Sequence, residues 1–115
     1  GIFSICKIHN LDQIDYSDDF VFVGKTDEEF SLVCRTKYIP EKTVERNDGW
    51  NALRIEGIWD FSLVGILAKI CKILSDNKVS VFAVSTYNTD YILIQAENYA
   101  RAILALQCEG YDVVS

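Results

Sequence analysis

The order of apolar runs in the second half constrains the fold of this 115-residue chain more than any other feature. Apolar residues recur every three or four positions over 63–74, and again over 98–107, which predicts two amphipathic helices. Other runs are short and rich in β-branched or aromatic residues, which favours strands. These strand-like runs are residues 52–56, 79–84, 91–94 and 111–114.

Read along residues 49–115, these elements follow the order β-α-β-β-α-β. This is the split βαβ, or ferredoxin-like, arrangement: an antiparallel sheet with both helices on one face. We therefore expect the α+β class. The pattern does not identify a function, because the same fold carries many activities.

The first half indicates strands. Residues 2–8, 20–23 and 30–34 are strand candidates, and the polar turn at 26–28 joins the last two into an antiparallel hairpin. Residues 10–19 are acidic and polar, typical of a loop or a short helix. We place a subdomain boundary at the polar stretch 45–49, which gives a mostly β subdomain over 1–48 and a second subdomain over 49–115.

Charge and composition exclude several classes of protein. The net charge of −6 argues against a surface for nucleic acid or for anionic membranes, which needs clustered cations. No apolar run reaches the roughly 18 residues of a membrane span, and the start lacks the features of a signal peptide. Since the chain contains no Met, we expect that residues precede Gly1 in the translated protein.

The titratable residues favour neither a metal site nor catalysis. The four cysteines, Cys6, Cys34, Cys71 and Cys108, form no Cys-x-x-Cys pair, so we expect buried free thiols in a reducing cytoplasm and no metal. The only histidine, His9, has no nucleophile beside it, and we expect it at the surface. Phosphate-binding glycine motifs are absent, so no cofactor is expected. A non-enzyme is the preferred interpretation.

Two polar segments interrupt the apolar pattern. The first, residues 57–65, links a strand to a helix, whose N–H groups and dipole could hold a carboxylate. Gly65, in the expected first turn, would let a backbone or a ligand approach closely. Asp60 or Ser62 could equally serve only to cap the helix.

The second polar segment, residues 85–90, lies between two core strands. Its residues suit a plain hairpin turn, and Asn88 and Asp90 are natural turn residues. They could also present hydroxyl, amide and carboxylate groups to the helix N-terminus. A pocket joining the two segments would then require a second copy of the domain.

Residues 50–97 resemble the ACT domain family, and in particular small two-part bacterial ACT proteins related to the CASTOR-type amino-acid sensors. The resemblance is carried by Leu53-Arg54-Ile55-Glu56-Gly57, by Asp60-Phe61-Ser62-Leu63-Val64-Gly65-Ile66-Leu67 and by the segment from Val81 to Leu93, in which Ser85-Thr86-Tyr87-Asn88-Thr89-Asp90 is the most specific. Residues 26–34 are similar to the first half of the same proteins.

The resemblance implies two ACT-like units, the first of them reduced and preceded by a further strand before Gly1. It also implies a ligand between the strand-to-helix loop and the turn. The matching positions are Asp60, Phe61, Ser62, Leu63, Val64, Gly65, Thr86, Tyr87 and Asp90. Leu63 stands where arginine-sensing relatives carry an acidic residue, which argues against arginine as the ligand.

The preferred hypothesis is a non-catalytic sensor that binds an amino acid and regulates a separate enzyme. The first helical turn near Ser62 and Gly65 would bind the α-carboxylate of the ligand. Asp90 or Asp60 would bind its ammonium, with Thr86 adding a hydroxyl. Tyr87 and Phe61 would shield the side chain of the ligand. A ligand-free oligomerisation scaffold and a small enzyme are the alternatives. A homodimer is expected in each case, because sheet edges invite pairing.

Overall fold

The computed structural model describes residues 2–55, 65–111 and 113. Its contacts divide the chain into two units, unit 1 (Gly1–Trp50) and unit 2 (Asn51–Ser115). Within the described residues the strands and helices are, in chain order, β1 (Phe3–Ile8), β2 (Val21–Lys25), β3 (Phe30–Arg35), β4 (Glu45–Ile55), α1 (Ile66–Asp76), β5 (Val81–Ser85), β6 (Asp90–Gln95) and α2 (Tyr99–Cys108).

Unit 1 is a sheet in the order β2-β3-β1, with the first half of β4 beside β1. The β1–β3 and β2–β3 pairs are antiparallel, with Ile5 opposite Val33 and Phe22 opposite Val33. One face carries a core of buried residues: Cys6, Ile8, Ile14, Leu32 and Cys34. Short 3-10 turns at Leu11–Gln13 and Thr36–Tyr38 take the place of helices in this unit.

Unit 2 has the strand order β4-β6-β5, which makes β5 its edge strand, and β5 and β6 are antiparallel. Strand alternation puts Ile92 and Ile94 on one face, where they join a core with Leu74 of α1 and Leu106 of α2. The predicted antiparallel α+β class is confirmed. The predicted final strand over 111–114 is not found at Tyr111 or Val113, which pack against this core instead.

The polar stretch over residues 45–49 is not a break between elements, because β4 begins at Glu45, seven residues before the predicted strand start at Ala52. Its first half pairs with β1, with Asn47 opposite Ile5. Backbone pairing to a neighbour, and not an apolar pattern, makes this segment a strand. The contacts place the division between units at Trp50, inside β4.

Helix α1 begins later than predicted, at Ile66, and Gly65 is its N-cap residue with φ +86°. Asp60 and Ser62, the predicted caps, lie outside the described residues. Among the described residues, no atom lies within 4 Å of a Cβ added at Gly65. The left-handed backbone is sufficient to explain a glycine at this position.

The cysteines only partly match the prediction of buried thiols. Cys6 and Cys34 are buried, Cys71 is half-buried and Cys108 is exposed at the end of α2. Burial raises the pKa of the Cys34 thiol to about 11, and the neighbouring Cys6 adds to the shift. His9 is exposed, as predicted. None of the helices in the described part of the chain is both long and apolar enough to span a bilayer.

Both helices end in a Schellman motif with a left-handed residue after the cap. After α2 that residue is Gly110, φ +89°, and the Tyr111 N–H donates to the Leu106 carbonyl at 3.1 Å. After α1 it is Lys78, φ +61°, and the Val79 N–H donates to the Leu74 carbonyl at 2.8 Å. A Cβ-bearing residue is strained in this conformation by about 1–2 kcal/mol.

Lys78→Gly is expected to raise the free energy of unfolding by roughly 0.5–1 kcal/mol, since glycine relieves the strain but adds entropy to the unfolded chain. Urea unfolding measures the change. The matched control is Gly110→Ala, which is expected to lower stability because it introduces the same strain at the end of α2. A lower stability for Lys78→Gly would contradict the assignment of strain to Lys78.

A polar network ties β1 to β4 in unit 1. The Ser4 hydroxyl is fully buried, donates to Asp48 Oδ1 at 2.6 Å and lies 2.8 Å from the Thr36 hydroxyl. Arg46 reaches the other carboxylate oxygen of Asp48, with Nη2 and Oδ2 3.1 Å apart. The hydrogen bond from Ser4 lowers the pKa of Asp48 against the opposing effect of desolvation, and Arg46 lowers it further.

The lowered pKa of Asp48 gives a pH dependence with a definite sign. Its contribution to stability is present above the pKa of the unfolded chain, about 4, and is lost as the pH falls through the folded value. Asp48→Asn is therefore expected to flatten stability against pH in the acid range, as measured by urea unfolding. Asp27→Asn, a change at an exposed position, serves as the control. If the free energy of unfolding fell equally steeply with acid pH in Asp48→Asn and in the wild type, the stabilising role of the Ser4–Asp48–Arg46 network would be contradicted.

Candidate ligand-binding site

The hairpin between β5 and β6 carries the described part of the predicted site. It brings together Thr86, Tyr87 and Asp90, whereas Gly65 lies on another element, at the start of α1. The remaining predicted positions lie outside the described residues: Asp60, Phe61, Ser62, Leu63 and Val64. The structure therefore defines one side of the candidate site.

Asp90 and Ser85 face each other at the base of this hairpin, as the last register pair before the turn. The Ser85 hydroxyl donates to Asp90 Oδ1 at 2.5 Å. Asp90 is half-buried and Ser85 is exposed. Within the part of the chain that the structure describes, no hydrogen bond engages Asp90 Oδ2, which is open to a donor from a ligand.

Strand alternation fixes the face on which this pair lies. Asp90, Ile92 and Ile94 share one face of β6, and Ile92 and Ile94 belong to the core beneath the helices. The carboxylate thus stands at the end of the helix-covered face, where the apolar core stops. Ser85 was not among the predicted site residues. Its register opposite Asp90 depends on the length of the turn, which the amino-acid pattern alone does not specify.

Thr86 uses its hydroxyl inside the turn. Its Oγ1 accepts the Thr89 N–H at 3.2 Å and donates to the Thr89 carbonyl at 3.3 Å, and its own N–H donates to that carbonyl at 2.8 Å. Tyr87 is fully exposed at the tip. The structure thus gives Thr86 a structural role in this hairpin, and the Tyr87 ring contacts no core.

The turn between β2 and β3 in unit 1 has the same hydrogen bonds, sixty residues earlier. Thr26 Oγ1 accepts the Glu29 N–H at 3.2 Å, and the Thr26 N–H donates to the Glu29 carbonyl at 3.0 Å. Such threonine turns form locally, because a side-chain hydroxyl can replace a backbone acceptor. Thr26 and Thr86 are therefore equivalent parts of two similar turns.

A separate cavity of about 630 Å³ lies between the end of α1 and the start of β5. It contains none of the predicted site residues. Its lining residues are Cys71, Ser75, Lys78, Val79, Ser80 and Val81. In the described residues, no group of three or more His, Cys, Asp or Glu side chains is placed to hold a metal ion.

Thr86→Val and Thr26→Val are each expected to lower the free energy of unfolding by about 0.5–1.5 kcal/mol, because each removes the turn hydroxyl. Urea unfolding measures both, and Thr86→Ser, which keeps the hydroxyl, is expected to retain most of the stability. The turn role would be contradicted if Thr86→Val unfolded like the wild type while Thr26→Val did not.

Comparisons with known proteins find matches to both the sequence and the fold of this chain. A family model for the ACT domain matches residues 45–108. Protein Atu0741 from Agobacterium tumefaciens is 25% identical, with a TM-score of 0.88 over 99% of this chain and 87% of that chain. VC0802 from Vibrio cholerae, described as a possible transport protein, is 18% identical, with a TM-score of 0.72 over 96% and 85%.

A more distant structure shares the fold. Aspartate kinase from Clostridium acetobutylicum is 12% identical, with a TM-score of 0.65 over 91% of this chain and 32% of that chain. A search of curated proteins finds no match. ACT domains are generally small-ligand regulatory modules.

The family match begins where β4 begins, at Glu45, and ends where α2 ends, at Cys108. It therefore includes the hairpin with Asp90 and the two helices that cover the sheet. The matched residues make up more than half of the 115 residues. The chain belongs to the ACT domain family.

Proposed function

We propose that this chain is a non-catalytic sensor that binds an amino acid, or a similar small metabolite, at the hairpin of unit 2. The observation that carries the proposal is the Asp90 carboxylate, whose Oδ1 accepts a hydrogen bond from Ser85 while Oδ2 has no hydrogen bond to any described residue. An ammonium group is the natural partner of such a carboxylate, and charge-assisted bonds of this kind are stronger than neutral ones.

The remainder of the proposed site is the strand-to-helix segment. Its residues Asp60, Phe61, Ser62, Leu63 and Val64, with Gly65, would lie around the carboxylate and side chain of the ligand. Since α1 begins at Ile66, the N–H groups offered to the carboxylate would be those that follow Gly65. Tyr87, exposed at the hairpin tip, would shield the ligand from water.

The sensor is proposed to act as a cytoplasmic homodimer that transmits ligand occupancy to a separate enzyme. Strand β5 is the last strand in the described order β4-β6-β5, and the edge of a sheet favours pairing with a second copy. Unit 1 would be a reduced ACT-like unit, a proposal supported by its hairpin of the same form. A small ligand has few contacting atoms, so the expected Kd lies in the micromolar to millimolar range, about −8 to −4 kcal/mol.

A ligand-free oligomerisation scaffold is the second candidate. The observation that favours it is the Thr86 hydroxyl, which bonds within its own turn and so needs no ligand. The two functions differ in the role of Asp90, because a scaffold gives this carboxylate nothing to bind.

Thermal unfolding in the presence of each of the twenty amino acids at millimolar concentration tests the sensor directly. A ligand at about 100 times its Kd adds about 2.7 kcal/mol, a shift of roughly ten degrees for a domain of this size. Asp90→Asn is expected to lower the affinity at least about tenfold, since it removes the charge that attracts the ammonium.

The matched control is Asp27→Asn, which makes the same change of charge on the corresponding turn of unit 1. It is expected to bind like the wild type. A well-folded wild type that responds to no amino acid would contradict the sensor and favour the scaffold, with light scattering reporting whether it is a dimer. Unchanged binding by Asp90→Asn would remove Asp90 from the site.

A further inference from the structure

The two hairpins are built alike at a constant separation of sixty residues. Strands β2 and β3 begin at Val21 and Phe30, and β5 and β6 begin at Val81 and Asp90. A 3-10 turn follows each pair, at Thr36–Tyr38 and at Ala96–Asn98. Burial also repeats, because residues three to five of β3 and of β6 are buried. The two hairpins are therefore two versions of one structure, and their equivalent positions can be compared directly.

The two versions differ in the register pair at the base of the turn. In unit 1 this pair is Lys25 opposite Phe30, and in unit 2 it is Ser85 opposite Asp90. Since both turns share the hydrogen bonds between the threonine and the residue three positions later, the fold of the hairpin does not require the Ser85–Asp90 pair. The pair is a feature that unit 2 carries in addition to its fold.

In unit 1 the residue equivalent to Asp90 is Phe30, which has a packing role. Phe30 packs against the core of unit 1, next to Leu32 on the same face. Asp90 occupies the same position in unit 2 and is half-buried there. Aspartate is disfavoured in strands, where aromatic residues are favoured. Unit 2 thus holds a carboxylate at the position where the equivalent hairpin of unit 1 packs an aromatic ring.

Ser85 limits the freedom of that carboxylate. The Ser85 hydroxyl donates to Oδ1, which ties this carboxylate oxygen to β5. Directly opposed residues in a sheet lie close enough for their side chains to interact. In unit 1 the corresponding Lys25 carries a positive charge, which would repel an ammonium group.

We infer that Ser85 is a positioning residue for ammonium recognition by Asp90, and that each chain has one such site, in unit 2 and not in the equivalent hairpin of unit 1. This inference rests on the proposed function and adds the chemistry of recognition. Ser85 orients the charged acceptor. Removing the Ser85 hydroxyl therefore lowers the affinity for ligands that carry an ammonium more than the affinity for analogues that carry a neutral hydroxyl at the same carbon.

Calorimetric titration tests this with two probes: the amino acid that gives the largest shift in the thermal screen, and its 2-hydroxy acid analogue. The wild type is expected to bind one amino acid per chain and to prefer it over the hydroxy acid. Ser85→Ala is expected to weaken amino-acid binding about three- to tenfold while changing hydroxy-acid binding less. The ratio of the affinity for the amino acid to that for the hydroxy acid is therefore expected to fall. A merely structural role would weaken both probes equally.

Two further variants complete the experiment. Ser85→Thr keeps the hydroxyl on a residue that strands favour, and it is expected to restore the preference. Lys25→Ala makes a change at the same register position of unit 1 and is expected to bind like the wild type.

Failures of the two proposals are distinguishable. A wild type that binds neither probe overturns the proposed function, and this inference with it. A wild type that binds the amino acid, with Ser85→Ala showing the same affinity and preference, overturns the role of Ser85 alone. Two ligands per chain, with one lost on changing Lys25, would overturn the restriction to unit 2.

Discussion

Burial of one sheet face beneath α1 and α2 is the interaction on which unit 2 depends. Ile92 and Ile94 of β6 are fully buried, and they meet Leu74 and Leu106 from the two helices. Because side chains alternate along a strand, this burial also decides that Asp90 lies on the helix-covered face. A slip of one residue would turn Asp90 to the opposite face. The core that stabilises the unit therefore also determines the face on which the Asp90 carboxylate lies.

The sequence predicted the helices and most strands because their apolar residues repeat with a clear period. It placed the start of β4 seven residues too late, since Glu45 to Asp48 are polar and only pairing with β1 makes them a strand. It expected Gly65 to admit a close approach of a backbone or a ligand, and it did not foresee the left-handed backbone angle that glycine adopts there. Backbone angles and pairing partners are not visible in an apolar pattern.

For the segment 85–90 the sequence left two interpretations open, a plain hairpin turn and a set of ligand-binding groups. The structure shows the turn, and residue types alone do not show whether a threonine hydroxyl faces a ligand or its own backbone. The structure turns Thr86 inward, as it does Thr26. Ser85 was missed as a site residue because its role depends on the register opposite Asp90. That register becomes known only when the turn is built.

Regulation by small ligands is what the ACT domain family is generally built for, and the two hairpins show how one scaffold can carry different chemistry. Threonine turns maintain both hairpins, whereas the residues at their bases are apolar and cationic in one and polar and acidic in the other. The hairpins therefore share the residues that build their turns and differ in the residues at their bases.

Two-dimensional amide NMR during titration with the amino acid selected by thermal unfolding tests the central claim most directly. The account predicts shift changes that saturate at Ser85–Asp90 and in the segment before α1, with none at the equivalent residues of unit 1. Changes confined to unit 1, or to the cavity lined by Cys71 and Val81, would contradict it.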